Sequence, residues 1–222
     1  MNLYANQLYH VYNQGNNRRP IFFSDENYQY FLWKMKMYIT PFADIISYCL
    51  MPNHFHWLIY INRDLIERKS LRLYVNSIER QRREIKFGNV FSGIYTDRWE
   101  KSNDHSKISI NEAIGILLRS YTRAINKENG WTGSLFRAKC KSKNGWIDQF
   151  VTLKKSNGKT DFRFTTGNDY AYACFHYIHD NPMVSGLVRE TLEWKYSSAR
   201  AYAGLETPDV CNVEMGRKIL GI

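Results

Sequence analysis

Apolar and polar positions change period several times along the chain, and each change marks an element. "QLYHVYNQGNNRRP" reads as a strand running into a turn, with Gly15, Asn16, Asn17 and Pro20 as breakers. "SDENYQYFLWKMKMYI" follows with helical spacing: Ser24 is the expected N-cap, and Phe31, Met35 and Tyr38 line one face. "ADIISYCLMPNHFHWLIYI" is strand, turn, strand, broken at Pro52-Asn53, and predicts an antiparallel hairpin. "SINEAIGILLRSYTRAINKENG" is a helix with Ser109 and Glu112 at capping-box spacing and Gly130 just past its end. "GSLFRAKCKSK" reads as a further strand, "DYAYACFHYIHDNP" as a helix stopped by Asn181-Pro182, and "LEWKYSSARAYAG" as a last helix or helical turn.

Two stretches break this rhythm. Residues 63–106 hold a basic helical run, "RDLIERKSLRLYVNSIERQRREIKFG", and then a loop-rich stretch; residues 144–168 suggest a small hairpin. With both set aside as insertions, the first six elements follow strand, helix, strand, strand, helix, strand. That order predicts an α+β chain of the ferredoxin-like split βαβ plan. A central antiparallel sheet packs helices on one face and leaves the other face free for a site. The expected organisation is a single domain over 1–222 with these two insertions.

Alternation then sorts the strand "HFHWLIYI". Phe55, Trp57, Ile59 and Ile61 share one apolar face; His54, His56, Leu58 and Tyr60 share the other. The two imidazoles are therefore about 6–7 Å apart at Cα, close enough to converge on one metal ion that takes a third ligand elsewhere. A His-x-His tripeptide on a half-exposed strand with no function accounts for the same pattern equally well. Tyr177 and Asn181, at i and i+4, supply a phenol and an amide on one helix face beside a stripe of Ala171, Cys174, Phe175 and Ile178. A boundary tyrosine and a helix C-cap would look the same. His176 and His179 point away from that face and are expected at the surface. His10 is a candidate extra ligand or neighbour whose facing the pattern leaves open. Arg137, Lys139, Lys141 and Lys143 fall on one face of their strand, as a phosphate track or as the lysine guard of an edge strand.

Charge sharpens the choice of partner. Thirty-one Lys and Arg against 21 Asp and Glu leave a formal net charge of +10, which favours a polyanion such as nucleic acid. Aromatic residues make up 15%, some of them available to stack on bases. Four scattered cysteines without a CxxC argue for a reducing cytoplasm rather than a disulfide framework. No signal peptide and no stretch of membrane-spanning length is expected.

Taken together, "YHVYNQGNNRRPIFFSDENYQYFL", "MPNHFHWL", "GSLFRAKCKSK", "FHYIHDNPMVSGLV" and "WKYSSARAY" resemble, in order, the segments of the single-tyrosine HUH transposases, in particular the REP-associated tyrosine transposases of bacteria. The resemblance covers most of the chain outside the two insertions. It implies that His54 and His56 are metal ligands and that Tyr177, on a C-terminal catalytic helix, is the nucleophile. It further implies that Asn181 is the third ligand, that Mg²⁺ or Mn²⁺ is the cofactor, and that Arg137, Lys139, Lys141 and Lys143 contact DNA. The implied reaction cleaves and rejoins single-stranded or hairpin DNA through a 5′-phosphotyrosine link, by a monomer or homodimer. Met183 and Ser185 stand where the family commonly carries arginine or lysine, which weakens one phosphate contact without touching the chemistry. A structured-nucleic-acid binder that does not cut is the first alternative. A zinc hydrolase is the second, and it lacks a convincing set of further ligands.

Overall fold

The computed structural model describes residues 2–87, 105–144 and 169–222. The chain opens with β1 (Leu8–Gln14), α1 (Asp25–Tyr38) and the hairpin β2 (Ala43–Met51) and β3 (His54–Ile61). β4 (Leu65–Glu67) leads into α2 (Arg68–Phe87), and β5 (Lys107–Ser109) leads into α3 (Ile110–Asn129). β6 (Lys141–Asn144), α4 (Asp169–Val184), α5 (Ala199–Tyr202) and α6 (Val213–Leu220) complete the described strands and α-helices. The main sheet has the order β2-β3-β1-β6, antiparallel throughout, which is the expected split βαβ arrangement.

The helix ends form for local reasons. Ser24 accepts from the Asn27 amide and caps α1, with Asp25 and Glu26 in its first turn. Ser109 and Glu112 close a reciprocal capping box on α3, and Gly130 ends it in the left-handed region at φ 67°. Both helices pack on one face of the sheet. Phe31 and Met35 of α1, with Ile114, Leu117 and Tyr121 of α3, meet Val11, Phe55, Trp57 and Ile59. These side chains are buried, and removing their surface from water is the main force holding this layer.

The second face is not left open. A register shift between Ile45 and Ser47 turns Ile46 to that side, where it joins Leu8, Cys49, Met51 and Leu58 in a second apolar cluster. That surface is covered by α4 through Ala171, Cys174, Phe175 and Ile178, with Met215 and Ile219 of α6 at its margin. The molecule is thus three layers, and the imidazoles of the second face lie on its β1 and β3 strands.

Two local expectations are corrected. The strand expected over residues 134–143 enters the sheet only at Lys141–Asn144, with an isolated bridge between Gly15 and Phe136. Side chains displace the ladder in between: Asn13 Nδ2 donates to the Arg137 carbonyl and Cys140 Sγ to the Tyr12 carbonyl. The helix expected to stop at Asn181-Pro182 continues to Val184, with Pro182 in its last turn. The Ser185 amide still reaches the Asn181 carbonyl at 2.9 Å, and Gly186 at φ 72° turns the chain out, so Asn181 is not the C-cap.

Of the 63–106 insertion, the described part is a clasp and a helix. β4 and β5 pair antiparallel from Leu65–Ser109 to Glu67–Lys107. α2 packs on α1, with Leu71 buried and Lys34 paired to Glu79 at 3.5 Å. The 144–168 insertion lies outside the described residues except for Asn144.

Candidate active site

Antiparallel pairing places side chains of facing residues on the same side of a sheet. Tyr12 faces His56 on one flank and Lys141 on the other; His10 faces Leu58 and Lys143; Gln14 faces His54. His54, His56, His10, Tyr12, Lys141 and Lys143 therefore share the second face. The alternation expected for the histidine strand holds: Phe55 and Trp57 are fully buried in the opposite layer.

The imidazoles are each held by one named partner. His54 Nδ1 lies 2.6 Å from Asn53 Oδ1. The Asn53 amide nitrogen donates to the Arg18 carbonyl, so its oxygen is the atom that faces His54. His56 Nδ1 lies 2.8 Å from His10 Nε2, in a buried contact between stacked rings 5.1 Å apart. Among the described residues no hydrogen bond engages Nε2 of His54 or His56. Burial lowers the His54 pKa. Burial, then the neighbouring His10 and His54, hold His56 well below the ordinary histidine value. Burial and then Lys143 push His10 down to about 4. All three rings are neutral at pH 7, the state in which an imidazole offers a lone pair.

The α4 stripe that covers the apolar cluster also sets the tyrosine. Tyr177 follows Cys174 by three residues and stands at the edge of the docked face, half-buried. Its ring meets His56 edge-on at 5.2 Å and His10 at 6.0 Å. The structure thus brings together strand and helix segments more than a hundred residues apart. Burial raises the Tyr177 pKa, and the Asn181 amide beside it opposes the rise. Asn181 Nδ2 is buried yet completes no hydrogen bond of standard geometry, and its Oδ1 accepts from Ser185 Oγ at 3.3 Å. The unpartnered atom is a donor, suited to the phenol or to a phosphate oxygen, while Oδ1 is the atom that could meet a cation.

Among the described residues, no group of three His, Cys, Asp or Glu is arranged to hold a metal ion. A cation at His54 and His56 would need a carboxamide or similar oxygen to complete its protein ligands, and Asn181 is the amide beside the tyrosine on its own helix. Both Nε2 atoms and this amide fit such a role.

The basic residues separate. Lys141 and Lys143 lie on the histidine face. Arg137 and Lys139 instead line a cleft of about 770 Å³ between α3 and residues 133–140. Arg119 and Arg123 of α3 line the same cleft, and the described lining includes no carboxylate. Sequence reading missed these two arginines; their signal is the i, i+4 pairing on the outward face of α3.

His179 is not at the surface. It is buried, its Nε2 is 2.8 Å from Ser198 Oγ, and burial followed by His176 pushes its pKa down to about 3. His176 stays half-exposed against Tyr172. His10, left without a facing by sequence, is the residue that contacts both His56 and Tyr177.

No family model and no curated protein matches the chain. A solved structure, a REP-associated tyrosine transposase bound to a REP hairpin, is similar over 96% of this chain and 92% of that one. The TM-score is 0.50 and the identity 12%, a likeness of fold. Among the described residues no helix is long and apolar enough to cross a membrane.

Proposed function

We propose that this chain is an HUH-type, metal-dependent DNA endonuclease and strand-transfer enzyme acting on single-stranded DNA beside hairpin-forming repeats. The observation that carries this reading is the packing of Tyr177 against His56, which joins the two halves of the motif into one site. The fold shared with a transposase bound to a hairpin supports it.

Tyr177 is the nucleophile. Its phenol oxygen attacks the phosphorus, the bond to the 3′ oxygen breaks, and the phenol proton ends on the departing 3′-OH. The product is a 5′-phosphotyrosine link, which a 3′-OH attacks in the reverse sense to rejoin DNA. The bond energy is kept in the link. His54, His56 and Asn181 would hold Mg²⁺ or Mn²⁺, which when bound neutralises charge on the phosphate oxygens. The apolar stripe of α4 fixes the helix against the sheet and so fixes Tyr177 against the histidines. Asn181 counters the burial that would keep the phenol protonated. Lys141 and Lys143 take phosphates on the catalytic face; Arg137 and Lys139, with Arg119 and Arg123, take phosphates in the cleft. The chain acts as one domain, monomer or homodimer, and the four free cysteines are read as fitting a reducing cytoplasm.

The test is incubation with a hairpin-bearing single-stranded oligonucleotide and Mn²⁺, followed by denaturing electrophoresis. A denaturation-resistant protein–DNA adduct is expected, lost in Tyr177→Phe and in chelator. An adduct that persists in Tyr177→Phe refutes the nucleophile. Binding without cutting under every condition identifies a structured-nucleic-acid binder instead.

A further inference from the structure

We propose that His10 is a positioning residue that fixes the tautomer and tilt of His56. The inference rests on His56 acting as a ligand, but its first part concerns the metal-free protein. His10 Nε2 and His56 Nδ1 are 2.8 Å apart in a buried contact, so they share one proton along that line. The rings lie 29° from parallel, so the same contact fixes the plane of His56.

The same nitrogen is committed in His54, by a different device. Asn53 Oδ1 can only accept, so the His54 proton is on Nδ1 and Nε2 keeps its lone pair. A strand residue does for His56 what a turn residue does for His54, and both rings present Nε2. For His56 to offer Nε2, its proton must stay on Nδ1, and His10 must accept it. His10 does not serve as a third ligand in this geometry: its Nε2 is occupied behind His56, on the side opposite the free nitrogen. The contact of the Tyr177 ring with both His10 and His56 means that a tilt of the pair moves the tyrosine's wall too. Orienting partners of this kind are worth about 10- to 100-fold in metal affinity.

The experiment uses full-length protein with ¹⁵N-labelled histidine and no metal, read by two-bond ¹H–¹⁵N correlation. His54 and His56 are both expected as Nδ1–H. In His10→Leu, His56 is expected to lose its single tautomer while His54 keeps its own. Calorimetric affinity for Mn²⁺ falls about 10- to 100-fold. His10→Gln, whose amide oxygen can accept from Nδ1, recovers most of that affinity. Thermal melting of the same variants separates a packing loss from this effect. An Nε2–H tautomer for His56 in the unaltered protein overturns the proposal. So does a His10→Leu protein that melts lower but keeps both the tautomer and the Mn²⁺ affinity. An unaltered protein with His56 held as Nδ1–H that binds no Mn²⁺ upholds the positioning and refutes the metal reading.

Discussion

The split of the basic residues into two groups makes a numerical prediction for salt. Six cations are available to phosphate: Lys141 and Lys143 on the histidine face, and Arg119, Arg123, Arg137 and Lys139 in the cleft. If all six neutralise phosphates, log affinity falls against log salt with a slope of about −4 for single strands and about −5 for duplex. Raising KCl from 50 to 200 mM then weakens binding roughly 300- to 2,000-fold. Replacing Arg119 and Arg123 with alanine removes two contacts and brings the slope to about −3, so that the same salt step costs roughly 50- to 150-fold. Fluorescence anisotropy of a labelled hairpin oligonucleotide over a KCl series measures both. A slope shallower than about −2 in the unaltered protein refutes the six-contact count, which rests on the phosphate term. An unchanged slope in the double variant removes the cleft from the DNA path and leaves the histidine face alone.

Three further outcomes are expected. Gly216→Ala should destabilise by about 1–3 kcal/mol in urea unfolding, although alanine is the better helix former; its Cβ lands on the Tyr202 hydroxyl and breaks that group's 2.8 Å bond to the Ile46 carbonyl. His179 is depressed in the fold to about 3, so the unfolded chain takes up its proton first as pH drops below about 6.5. Stability is full above that pH and is lost towards pH 3, by an amount on the order of 5 kcal/mol; His179→Gln should flatten this acid limb in pH-dependent melting. Ser109→Ala should cost about 1 kcal/mol by opening the α3 capping box, read by chemical denaturation.

What the sequence made legible was local or periodic. The capping box of α3, the Pro52-Asn53 hairpin and the facing of His54 and His56 all follow from spacing within a few residues. His10 resisted because β1 is buried on both faces from Leu8 to Val11, which erases the polar–apolar contrast that alternation needs. The strand over residues 137–140 failed because Asn13 and Cys140 donate to backbone carbonyls across the chain, a contest no window of sequence contains. His179 looked like a surface residue because its partner Ser198 is nineteen positions away. α6 went unread because eight residues give too short a stripe to separate from a loop; its cover of Ile46 depends on Gly216. The union of Tyr177 with His56 is tertiary, supplied by the apolar fit of α4 on the sheet.

The β4–β5 clasp changes how this chain can be edited. Because Glu67 and Lys107 sit side by side in the β4–β5 ladder, the two ends of the segment between them meet in a sheet separate from the main one. A designer can cut there and splice a two-residue turn, losing the α2 brace on α1 but not the strand order. In the other direction, a reporter or a second binding domain inserted at that neck would join the chain away from the strands that carry the histidines.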